Sequence, residues 1–131
     1  MSVMKVYSTN NPSSFSSLKE AVLQGLAPDN GLYMPEHIPV LPPEFFKEMS
    51  DMTFAQIAFT VAQKFTGDDV PAGDLNKIIG HTLQFDAPLV HLEDNISVLE
   101  LFHGPTMAFK DFGARFMSQL LGYFAAQIER E

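Results

Sequence analysis

A chain of 131 residues that is 46% hydrophobic, with Phe as its leading aromatic, is long enough to bury a core and too apolar to be disordered. Sixteen acidic side chains against eight scattered basic ones give a net charge of -8, which leaves no basic stripe for a nucleic acid or an anionic membrane. With no cysteine, no basic leader before an apolar stretch and no apolar run long enough to span a bilayer, the expectation is a soluble, cytoplasmic protein.

In chain order, alternation from Met4 to Ser8 predicts a short strand, after which Asn10, Asn11 and Pro12 are expected to break regular structure. The serines from Ser13 to Ser17 read as the approach to a helix. Ser17 and Glu20 have capping-box spacing, and Leu18, Ala21 and Val22 give an apolar stripe that ends at Gly25. The segment Ala27-Pro-Asp-Asn-Gly31 has turn chemistry, because Pro28 fixes one dihedral and Asn30 and Gly31 tolerate positive φ. It leads into Leu32, Tyr33 and Met34.

Pro39, Pro42 and Pro43 mark a loop, with Pro43 opening a short helix through Phe45, Phe46 and Met49. Thr53 and Gln56 repeat the capping box, and apolar residues from Phe54 to Phe65 follow at helical spacing until Gly67. Pro71 opens a further helix with Leu75, Ile78, Ile79 and Leu83 on one face. Up to about Phe85 the expected picture is a helical bundle with one or two short strands. Asp86-Ala-Pro88 is the clearest boundary, so 1–86 and 87–131 are expected to be separate parts.

Beyond that boundary, residues 89–92 and 96–101 predict strands joined by the polar turn Glu93-Asp-Asn95. In the last predicted helix, Phe112, Phe116, Leu120, Phe124 and Ile128 recur every fourth residue, with Phe109, Met117 and Leu121 beside them. So broad an apolar face requires a deep packing partner; without one it is left to pack against a second copy.

Lys110 carries the chemistry. It stands between Phe109 and the pair Asp111-Phe112, where an apolar run turns into a helix. A lysine enclosed by aromatic side chains there is a candidate for an amine of lowered pKa, the form that attacks a carbonyl carbon, and the positive end of a helix dipole favours the same uncharged form. A lysine at a helix start is also commonly just solvated. Asp111 either orients a neighbour or complements the dipole. Thr106, after the Gly104-Pro105 turn, either caps the helix or touches substrate, and His103 either contacts an anion or bonds to backbone. His37, His81 and His91 lack paired metal-ligand spacing, and Asp68, Asp69 and Asp74 lack the alternation, central glycine and closing glutamate of a calcium loop, so no metal site is expected.

The run from Glu100 to Asp111, E-L-F-H-G-P-T-M-A-F-K-D, resembles the cofactor-lysine segment of the threonine synthase family. A second match lies upstream: Glu20 to Pro35 resembles that family's amino-terminal segment G-L-A-P-D-G-G-L-Y-x-P, with Asn30 where the family commonly has glycine. Asparagine is the residue best able to replace glycine at positive φ. The resemblance covers essentially the whole chain but only the front of the family, so the chain is expected to be an amino-terminal fragment.

The resemblance implies an α-rich piece of an α/β protein. A helical amino-terminal domain over 1–86 would be followed, over 87–131, by the first strands and lysine-bearing helix of a pyridoxal-phosphate catalytic domain of the tryptophan-synthase-β-like fold, fold type II. It implies that Lys110 is both the Schiff-base lysine and a catalytic proton carrier, and that O-phosphohomoserine and water become threonine and phosphate. That cofactor also needs an anion site, which normally shows as a glycine-rich loop opening a helix, and none occurs here. The fragment alone is therefore expected to hold pyridoxal phosphate poorly and to be inactive. Two other readings stand beside this one: a non-catalytic binding or oligomerisation module derived from such an enzyme, and a relative that cleaves phosphohomoserine differently.

Overall fold

The computed structural model describes residues 4–128 and has a mixed α/β architecture rich in helix. Strand β1 (Lys5–Ser8) is the centre of a three-stranded antiparallel sheet, flanked by β2 (Asn11–Ser17) and β3 (Tyr33–Pro35). Val6 pairs with Ser16 on one side and Pro35 on the other, and the register shifts between Tyr7 and Ser8.

The second strand corrects the sequence expectation. The segment from Asn11 through the serines is extended and does not break structure, and it runs as a strand up to Ser17, which then caps the following helix. Its residues have weak strand propensity, but pairing with β1 supplies the backbone bonds, and Pro12 is tolerated because β2 is an edge strand. Among its described residues, this part of the chain consequently holds three strands.

Helix α1 (Leu18–Gln24) starts at the predicted capping box: the Ser17 side chain accepts from Glu20 N-H, and the Glu20 carboxylate accepts from Ser17 N-H at 2.8 Å. Gly25, at φ 77°, ends it. In the turn that follows, Asn30 takes the left-handed conformation at φ 63°. Gly31 is needed for a different reason: a Cβ there would lie 2.0 Å from Ser8 Oγ, so the residue is glycine because β1 comes so close.

Helix α2 (Pro43–Glu48) continues as a 3-10 turn over Met49–Asp51. Helix α3 (Phe54–Thr66) begins at the second capping box, Thr53 with Gln56, and ends at Gly67. Helix α4 (Ala72–Thr82) follows Pro71 and buries Leu75, Ile78 and Ile79. Strands β4 (Leu89–Glu93) and β5 (Ile96–Leu99) form a separate antiparallel hairpin whose two ends meet where Glu100 N-H donates to the Pro88 carbonyl.

The last helix, α5 (Lys110–Ile128), packs on α4 and α1. Leu120 and Phe124 share one core with Val22 of α1, Val70, and Leu75, Ile78 and Ile79 of α4. The broad apolar face is engaged within the chain only in part: Phe124 is 1% exposed, Phe116 packs against the same core, and Phe112 meets Phe85 at 4.8 Å and Phe54 at 6.1 Å, while Phe109, Met117, Leu121 and Ile128 stay exposed. A second, smaller core of Met4, Val6 and Ala21 joins α1 to the sheet.

Candidate active site

The segment 100–111 runs from the end of the hairpin into α5, and Lys110 is the first residue of that helix. Gly104 to Met107 form a tight turn closed by Met107 N-H donating to the Gly104 carbonyl at 3.0 Å, with Met107 in the left-handed region at φ 55°. This turn reverses the chain and delivers it to the helix start.

Lys110 is exposed, as is Phe109, at 72%. The aromatic enclosure anticipated for the lysine is not formed among the described residues. Phe112, two positions on, faces inward and packs on Phe54 and Phe85, because neighbouring helical side chains diverge by about 100° and two residues apart nearly oppose one another. The ammonium group is therefore presented on the outside of the first turn.

Asp111, about 100° further round the helix, is turned inward. It is 4% exposed, and its carboxylate accepts two bonds from one residue: the Thr106 hydroxyl at 2.6 Å and the Thr106 N-H at 2.8 Å. These two bonds, with the Thr106 hydroxyl the stronger influence, hold the carboxyl below its ordinary value against the opposing effect of burial, and the Lys110 charge acts in the same direction. Thr106 thus bonds to a side chain within the helix, while the Asp111 N-H donates to the Ala108 carbonyl at 3.0 Å. Gly104 is pressed against the carboxylate: a Cβ on it would fall 2.4 Å from Asp111 Oδ2.

His103 has a side-chain partner, contrary to the backbone bond considered for it. Its Nε2 lies 2.7 Å from Glu100 Oε2, and its ring stacks on Phe102 at 4.7 Å. The two residues are three apart, a spacing that signals a pair on a helix, but here an irregular strand exit brings them together.

Farther along α5, Arg115 ties the helix to the end of α4. It donates from Nη2 to the His81 carbonyl and to Gln84 Oε1, both at 2.7 Å, and from Nε to the Thr82 carbonyl at 3.1 Å. Its guanidinium carbon sits 5.9 Å from the centre of the Phe85 ring. Between α3, α4, β5 and the start of α5 lies an almost wholly apolar groove of about 530 Å³, bordered by Phe54, Ala58, Leu99, Leu101 and Phe112.

Sequence reasoning placed Lys110 correctly at a helix start but missed the Asp111-Thr106 clamp and the Arg115 tie. A spacing of five residues between Thr106 and Asp111 matches no local motif, and Arg115 reaches partners more than thirty residues away. Among the described residues, no group of three His, Asp or Glu side chains is disposed to hold a metal ion, and no helix is long and apolar enough to cross a membrane.

As a reactive group, Lys110 offers an exposed primary amine fixed in a first helical turn. A primary amine of this kind can bond covalently to an aldehyde carbon. A family model described as "Threonine synthase N terminus" matches residues 5–83. The threonine synthase of Escherichia coli (strain K12) is 37% identical over 122 residues, covering 93% of this chain and 28% of that protein. A crystal structure of the E. coli threonine synthase superposes with a TM-score of 0.88 at 37% identity, covering 93% of this chain and 28% of that one. An X-ray structure of PLP-bound threonine synthase from Brucella melitensis gives a TM-score of 0.88 at 34% identity, covering 96% and 28%. The chain thus spans about 28% of the length of the relatives it matches. Sequence and fold agree, and the chain belongs to the threonine synthase amino-terminal family.

Proposed function

We propose that the chain contributes the cofactor lysine of a threonine synthase, an enzyme that converts O-phosphohomoserine and water to threonine and phosphate with pyridoxal phosphate. The observation that carries this reading is Lys110 itself, an exposed amine opening α5 inside the run E-L-F-H-G-P-T-M-A-F-K-D. The cofactor, when bound, supplies an electron sink for carbanion chemistry. Lys110 would hold it and, when displaced by the incoming amino acid, carry protons between substrate carbons, since it is already within reach.

The reading brings with it a cytoplasmic location and a division near residue 86, with 87–131 opening the cofactor-binding domain. Since α5 shares a core with α1 and α4, such a division would be one of role. The 131 residues alone are expected to be inactive, since they offer no glycine-rich phosphate loop.

One observation favours a second reading, in which this part serves as a binding or oligomerisation module. Leu89, Leu92 and Ile96 of the hairpin are 69%, 59% and 55% exposed, an apolar surface ready for further polypeptide. Self-association through α5 would use Phe109, Met117, Leu121 and Ile128, which stay exposed, since Phe112, Phe116 and Phe124 are engaged within the chain.

The deciding experiment is an absorbance spectrum of the complete encoded polypeptide with pyridoxal phosphate, before and after borohydride, with peptide mapping and Lys110→Ala as control. Phosphate release from O-phosphohomoserine is measured alongside. A fixed adduct on Lys110 and release abolished in Lys110→Ala are expected. A folded protein with no adduct would remove the enzyme reading in favour of the module.

A further inference from the structure

We infer that Asp111, acting through Thr106, is a positioning residue that fixes the Lys110 amine for reaction with an aldehyde; the inference rests on the role proposed above for that lysine. Successive helical side chains diverge by about 100°, so Lys110 faces outward while Asp111 and Phe112, about 100° and 200° further round, both face inward.

The inward side is gripped. Both Asp111 carboxylate oxygens are committed to Thr106, one to its hydroxyl and one to its N-H, which closes the chain from Thr106 to Asp111 into a single loop. Lys110 lies within that loop, immediately beside the residue that closes it. The loop also accepts an unfavourable conformation, with Met107 at φ 55° although its side chain is 78% exposed and gains little from burial. Gly104 completes the fit, since a Cβ there would lie 2.4 Å from Asp111 Oδ2 and 2.7 Å from Asp111 Cβ.

The alternative explanation is that an acidic residue in a first turn complements the helix dipole. An exposed carboxylate would serve that purpose equally well, and neither burial nor a two-point bond to one upstream residue would be needed. Nor is Asp111 part of the core that holds α5. Leu120, the first buried apolar residue of the helix, is nine positions on, about 13 Å along the axis. Loosening the loop should therefore change where Lys110 stands while leaving the core intact.

The test uses the complete polypeptide with pyridoxal phosphate and borohydride. The lysine nitrogen forms a bond to the aldehyde carbon with loss of water, borohydride delivers a hydride to that carbon, and peptide mapping gives the rate of fixation at Lys110 and at the other lysines. Asp111→Ala, Thr106→Val and the conservative Thr106→Ser are compared with the wild type, with amide hydrogen exchange of α4 and α5 as the measure of the core. Asp111→Ala is expected to slow fixation at Lys110 about tenfold or more. Thr106→Val should slow it less, Thr106→Ser should restore it, and exchange at Leu75 and Phe124 should be unchanged. A folded Asp111→Ala protein that fixes Lys110 at the wild-type rate overturns the inference. If that variant does not fold, Thr106→Val decides in its place, and a wild-type rate there overturns the inference equally. Wild-type protein with no adduct on Lys110 would remove the cofactor reading as well, an outcome distinct from one in which only the variants fail to differ.

Discussion

Arg115 Nη2 donates to the His81 carbonyl at 2.7 Å, a bond that joins the last helix to the end of α4 across 34 positions of sequence. The carbonyls at a helix end have no partner within the helix, so the guanidinium satisfies groups that water would otherwise serve. It does so while its guanidinium carbon lies over the ring of Phe85, which in turn packs on Phe112.

Removing this tie should cost stability. Arg115→Ala is expected to lower the unfolding free energy by about 2 kcal/mol, the usual scale for hydrogen bonds from a charged donor. Arg115→Lys should recover less than half of it, because an ammonium cannot span both carbonyls and Gln84 with a planar fork. Urea denaturation of the three proteins provides the comparison.

Phe124 tests whether α5 belongs to the amino-terminal core. It is 1% exposed and clusters with Val22 and Leu75, so Phe124→Ala should cost about 3–5 kcal/mol, the range for emptying a large buried site. The loss should appear in a single unfolding transition that includes α1 and α4. A separate, unshifted transition for residues up to 86 would mean that the two parts fold independently.

Asp29 sets a pH dependence whose sign follows from its partners. The Ser8 hydroxyl first, and the Gly31 N-H second, hold its carboxyl below the ordinary 3.8. The folded chain therefore binds its proton less readily than the unfolded chain. The stabilisation is fully present above 3.8 and is lost as pH falls through the folded value. Asp29→Asn should flatten stability against pH in that acid range. Asp69 has the opposite sign: burial raises its carboxyl, more than the Met4 N-H bond lowers it, so Asp69→Asn should steepen the acid loss. Thermal melts from neutral to strongly acid pH measure both.

Gly31→Ala should be destabilising although the φ of the residue is ordinary. The added methyl would sit 2.0 Å from Ser8 Oγ and 2.9 Å from Asn10 N, and the backbone contact cannot yield cheaply. A loss of about 1–3 kcal/mol is expected, on the scale of overpacking, with the β1-β2 connection shifted in amide chemical shifts. Asn30→Gly, at φ 63°, should be close to neutral.

Much of this fold is written locally. Ser17 with Glu20 and Thr53 with Gln56 state where two helices begin, Gly25 and Gly67 state where they end, and Leu75, Ile78 and Ile79 show which face of α4 is buried, because each signal involves residues within a few positions of one another. The sequence by itself also determined that a lysine opens the final helix. It could not determine that the serines after Asn11 would form a strand, since their conformation depends on hydrogen bonds from β1. Nor could it determine that the aromatic face of α5 would meet α1 and α4, that Asp111 would turn inward to Thr106, or that Arg115 would reach His81. Those choices are made by burial and by the satisfaction of polar groups between segments distant in the chain or joined by an irregular turn. Only the assembled tertiary structure brings such groups within bonding distance.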